Sequence, residues 1–120
     1  MDRILYNPTL RKFLNLFRRD RNVEACLRRA LVRLGNTKHA ILATLIKLHI
    51  TGIREDSNKC PVAQYLKQMC GVEVDVMGSY LTWNDNDEYT HKIHFISPAI
   101  SNFISDFDDG AYPDLEDYEG

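Results

Sequence analysis

The chain has 120 residues, 44% apolar and 27% charged, which is the size and balance of one ordinary globular domain. Its longest apolar run, HAILATLIKLHI, is 12 residues and contains Lys47, too short for a membrane span, and three unevenly spaced cysteines argue against a disulfide framework. The net charge of −2 hides a segregation: residues 1–50 carry eleven Lys/Arg against three Asp/Glu, and residues 51–120 carry four against fourteen.

The opening MDRILYNPTLRKF lacks the apolar stretch of a secretion signal, and together with the cysteine usage it points to the cytoplasm. After Pro8, the residues Leu10, Phe13, Leu14 and Phe17 fall at i, i+3, i+4, i+7 and predict a helix. Arg11, Lys12, Arg18 and Arg19 fill its remaining surface, so residues 1–21 read as a basic helix appended to the domain. Asn22 caps a second helix with Val23, Leu27, Ala30, Leu31 and Leu34 on one face and Arg28, Arg29 and Arg33 mostly off it; Gly35 stops it. Thr37 caps a third helix over 38–49, with Ile41, Leu42, Leu45, Ile46 and His49 on its inner side.

TGIREDSN is a polar loop. Pro61 suits the first position of a helix, where its missing N–H costs nothing, and Cys60 becomes the N-cap of a helix that runs to Cys70 and stops at Gly71. The apolar period then falls from about 3.6 to about 2. Val72, Val74 and Val76 predict one strand, SYLTW a second and YTHKIHFI a third, in an antiparallel meander. Ser97 and Pro98 start a last helix with Ile100, Phe103, Ile104 and Phe107 inward, and residues 113–120 form an acidic tail. The fold class is α+β: three to four N-terminal helices, a three-stranded antiparallel meander and one C-terminal helix in a single domain over 1–120.

The chemistry-bearing residues are few. Cys60 at a helix N-terminus beside Lys59 is a candidate reactive thiol, because the helix end favours thiolate. The bland alternative is a capping residue. Cys60 and Cys70 stand ten residues apart, about 15 Å along a helix, and cannot share a disulfide or a zinc ion. No metal site, cofactor motif, phosphate loop or catalytic acid–base pair is expected, nor a small-molecule substrate or a membrane partner. Nucleic acid is a candidate partner through Arg11, Lys12, Arg18, Arg19, Arg28, Arg29 and Arg33. Helix 38–49, the loop, helix 60–70 and a hairpin also follow the order of a winged helix, with Gln64, Lys67 and Gln68 on the recognition face. The loop is longer than such motifs use, and Asp85, Asp87 and Glu88 would sit at the wing tip. A protein partner or self-association is the other candidate, through the seven acidic residues from Asp106 with Phe107, Tyr112 and Tyr118 among them.

Gly52, Cys60-Pro61-Val62-Ala63, Tyr65-Leu66, Phe103, Phe107-Asp108 and Tyr112-Pro113-Asp114-Leu115 form a pattern that resembles a group of small uncharacterised bacterial and phage proteins. The resemblance spans about residues 50–115 and brings no activity with it. It implies one domain from Gly52 to Leu115, with the Tyr-Pro segment packed back on the fold. The expected role is a small non-enzymatic interaction or regulatory module of phage or mobile-element origin.

Overall fold

The structure is a computed structural model and describes residues 22–84, 89–95 and 97–117. The expected helix over residues 10–17 and the hairpin tip at Asp85, Asp87 and Glu88 lie outside them. Among the described residues four helices and a three-stranded sheet follow in order: α1 (Val23–Leu34), α2 (Lys38–Lys47), α3 (Pro61–Cys70), β1 (Asp75–Val76), β2 (Tyr80–Asn84), β3 (Thr90–His94) and α4 (Pro98–Asp108), then a 3₁₀ turn at Pro113–Leu115.

Each helix starts where a side chain can take a free backbone N–H. The Asn22 side chain accepts from Ala25 N at 3.3 Å, and Thr37 Oγ1 accepts from Ala40 N at 3.1 Å. Ser97 Oγ accepts from Ala99 N at 3.2 Å. Cys60 caps α3, its sulfur accepting from Ala63 N at 3.4 Å, with Pro61 in the first turn as expected. Gly71 closes α3 in the left-handed conformation at φ 71°, its N–H donating to Lys67 O at 2.8 Å.

Helix α3 lies at the centre of the molecule. Pro61, Val62, Ala63, Tyr65, Leu66 and Met69 are all buried, and α1 covers it with Leu27, Ala30, Leu31 and Leu34. The Tyr65 hydroxyl donates to Ala30 O at 2.7 Å across that contact.

Helix α2 departs from its expected face. The apolar run is nearly uniform around this helix, so periodicity alone does not select a side. The core takes Ile41, Leu45 and Leu48, leaving Ile46 51% exposed and His49 exposed. The helix also ends two residues early. His49 takes a φ of 58°, and Ile50 N donates back to Leu45 O at 3.0 Å, which turns Ile50 into the core.

The sheet has the order β1-β2-β3 and is antiparallel throughout, with Val76 opposite Leu81 and Leu81 opposite Ile93. Leu81, Trp83 and Ile93 face the core, while Lys92 and His94 face out. The expected first strand is shorter than its valines suggest. Val74 and Val76 are buried in alternation, yet only Asp75–Val76 join the ladder. A cleft of about 270 Å³ opens between residues 72–75 and 82–84. The outer edge at Val76 is taken by the loop, whose Ser57 O accepts from Val76 N at 2.7 Å.

The chain after α4 is part of the fold through Asp117. Tyr112 stacks on Phe103 with centroids 4.6 Å apart, and Leu115 is buried. Residues 115–117 run parallel to Gly52: Gly52 N donates to Leu115 O, and Asp117 N donates to Gly52 O, both at 2.8 Å. Arg54 pairs with Glu116 at 3.0 Å, and the Glu116 side chain is 9% exposed.

One expectation is overturned outright. Cys26 and Cys70 form a disulfide, with Cα atoms 5.9 Å apart and a sequence separation of 44. Sequence separation hid the pair, because nothing local shows that α1 lies against the end of α3. Among the described residues no helix is long and apolar enough to cross a membrane.

Candidate functional site

The pattern from Gly52 to Leu115 resolves into scaffold. A Cβ on Gly52 would meet the Cys60 carbonyl carbon and Pro61 Cδ, both at 2.6 Å, so glycine there lets the strap, Gly52 paired with residues 115–117, lie against the start of α3. Tyr65, Leu66, Phe103, Phe107 and Leu115 are core, and Tyr112 stacks against it. Asp108 Oδ1 accepts from Glu55 N at 2.9 Å, holding a loop residue whose φ is 58°. Each of these residues has a structural task, and none converges with another on an open site.

Cys60 is placed where a reactive thiol is not. It is 2% exposed, and burial pushes its thiol up to about 11, against the weaker pull of the Ala63 and Val62 N–H groups. Desolvation therefore outweighs the helix end, and the capping role is the one the geometry shows. Tyr65 is raised for the same reason. Lys38 is raised by its hydrogen bond to Asp106 at 2.8 Å, an exposed pair joining α2 to α4.

The winged-helix order is present, but the would-be recognition helix is α3. Gln64 and Gln68 are half-buried, and Lys67, its exposed cation, pairs with Glu73 at 3.1 Å. Apart from Cys70 at its end, the rest of α3 is buried, so Gln64, Lys67 and Gln68 form its one partly open strip.

Of the candidate basic residues, Arg11, Lys12, Arg18 and Arg19 lie outside the described residues. Arg28, Arg29 and Arg33 are exposed on the outer side of α1, with Arg28 Nε bonded to Glu24 at 3.1 Å. Among them stands a residue that sequence reasoning missed: Val32, 66% exposed. It is four residues from Arg28 and three from Arg29, hence their neighbour on the helix surface. The signal was legible, since Val32 falls about 160° round the helix from Leu34. Beside Val32 an apolar groove of about 410 Å³ runs between the end of α1 and the start of α4, lined by Leu31, Val32, Gly35, Asn36, Ser97 and Ile100. Ser97 Oγ donates to Asn36 O at 3.4 Å and ties its two walls together.

The class that fold and surface define is an α+β domain with segregated helices and meander, carrying an apolar groove next to a basic helix face. No family model matches the chain, and no curated protein or solved structure matches it either.

Proposed function

We propose that the protein is a small non-enzymatic interaction module whose contact surface is the α1–α4 groove and the basic face beside it. The observation that carries this reading is Val32, an apolar side chain standing in water among Arg28, Arg29 and Arg33 at the mouth of an apolar groove. That combination suits an acidic amphipathic segment of a partner protein: an aliphatic or aromatic side chain enters the groove while carboxylates meet the arginines. In the protein's own acidic segment Phe107 and Leu115 are taken up by the core and Glu116 by Arg54, which supports a separate partner; Tyr118 and Glu119 lie outside the described residues. Nucleic acid, the second reading, would use the arginines and leave Val32 without a role. Lys38 owes its displaced titration to an exposed ion pair, and Cys60 and Tyr65 owe theirs to burial, which suits scaffold roles for these three residues.

The test is titration with a synthetic helical peptide bearing leucines at i, i+3, i+4, i+7 and glutamates elsewhere, against a scrambled peptide and a generic DNA duplex. Binding of the patterned peptide, weakened about tenfold or more by Val32→Asp, supports the reading. Preference for the duplex, steeply salt-dependent and indifferent to Val32, establishes the nucleic-acid reading instead. Binding of neither probe removes both.

A further inference from the structure

We propose that Cys26–Cys70 is an exchangeable disulfide, opened and closed by dithiol reductants and disulfide oxidants while the domain stays folded. Two features of its surroundings carry this, independently of the groove.

The two cysteines are unequally exposed. Cys26 is 4% exposed, whereas Cys70 is half-buried at the last position of α3. Beside Cys70 is Gly71, exposed, with open space where a Cβ would point. An incoming thiolate therefore reaches Cys70 Sγ first.

The departing sulfur is that of Cys26. Its N–H makes the first helical bond of α1, to Asn22 O at 3.0 Å, and its burial makes a thiolate costly there, as burial does at Cys60. Access at Cys70, rather than leaving-group stability, sets the direction of exchange. The reagent's thiolate bonds to Cys70 Sγ as the Sγ–Sγ bond breaks, and Cys26 departs with the electron pair and takes up a proton. The reagent's second thiol then attacks its own sulfur in the mixed disulfide. It releases Cys70 and leaves as a cyclic disulfide, so two electrons and two protons have passed to the protein.

The second feature is that packing and a hydrogen bond join the same two helices beside the disulfide. Leu27, Ala30 and Leu34 of α1 meet Leu66 and its neighbours in one core, and Tyr65 holds Ala30 by hydrogen bond. Cys60 does not interfere, being buried, slow to ionise and separated from Cys70 by the length of α3. Opening therefore loosens the first turn of α1, directly after the basic residues 1–21, and leaves the rest in place.

The experiment uses the full chain. The protein is oxidised with excess oxidised glutathione, then exposed without denaturant to millimolar dithiothreitol. Aliquots are quenched with acid, alkylated and mapped by mass. The expected result is joint appearance of Cys26 and Cys70 thiols within minutes, helical circular dichroism retained, and a Tm lower by about 10 °C. A short reaction with reduced glutathione should trap its adduct on Cys70 and not on Cys26. The proposal is overturned if the bond opens only in denaturant, if opening abolishes the helical signal, or if oxidised glutathione never joins the pair. An adduct on Cys26 overturns the direction of exchange.

Discussion

The phenol of Tyr65 and the carbonyl of Ala30 lie 2.7 Å apart in the core, joining the middle of α3 to the middle of α1. Ala30 O belongs to a helical turn, so the phenol uses its second lone pair. Tyr65→Phe keeps the ring and leaves that carbonyl a helical partner. The expected loss is about 1 kcal/mol, seen as a lower urea midpoint at unchanged slope. A loss above about 3 kcal/mol would show that the ring itself had moved.

Two buried acids make the domain sensitive to alkali. In an unfolded chain Cys60 and Tyr65 lose their protons near 9.0 and 10.0; folded, Cys60 holds its proton to about 11 and Tyr65 holds its own still higher. Between these values the folded state binds more protons than the unfolded. Stability is therefore complete below about pH 9 and falls as pH rises, by at most about 1.4 kcal/mol per pH unit for each group. Urea midpoints measured across this range should bend downward above about pH 9, and Cys60→Ala should delay the bend. Iodoacetamide near neutral pH should label native Cys60 far more slowly than a free thiol.

Gly52 and Gly78 form a matched pair of tests. A methyl on Gly52 would press on the Cys60 carbonyl carbon and Pro61 Cδ, atoms of backbone and ring that cannot swing aside. Gly52→Ala should cost about 2–3 kcal/mol or more. At Gly78 nothing lies within 4 Å of the same methyl. Gly78→Ala should change stability by less than about 0.5 kcal/mol. Thermal melts of the two variants decide it, and equal effects would mean that the strap does not lie against α3.

Stopping the chain after Gly110 should destabilise it heavily, since this removes Tyr112 from Phe103, Leu115 from the core and Glu116 from Arg54. Leu115→Ala alone should cost about 2–4 kcal/mol. Arg54→Ala should cost about 1–2 kcal/mol, between an exposed and a buried pair. A truncated chain that melts like the full one would show residues 111–117 to be an appendage.

Much of this architecture is written in local chemistry. Asn22, Thr37, Cys60 and Ser97 each announce a helix by its capping atom, Pro61 and Pro98 support two of them, and the switch of period after Gly71 announces the sheet. What stayed hidden depends on which surfaces meet. The uniform apolarity of α2 does not say that Leu48 goes in and Ile46 out. The distance from Cys26 to Cys70 along the chain hides their contact. Cys60 shows the limit most plainly: its capping role is local and legible, whereas its ionisation is set by how deeply neighbours bury it. Val32 was legible as an apolar residue on a basic face, but only the start of α4 makes a groove beside it.

The strap between Gly52 and residues 115–117 also bears on how the chain is made. The pairing of Gly52 with Glu116 spans 64 residues, from the numbering of the two ends. Synthesis delivers Gly52 and α3 long before Leu115. Until residue 117 has cleared the ribosome, the Gly52 N–H lacks its carbonyl, and the site that Leu115 fills stands uncovered. The nascent chain must therefore wait with its central helix incompletely roofed, and closure falls to the last residues of the strap to emerge.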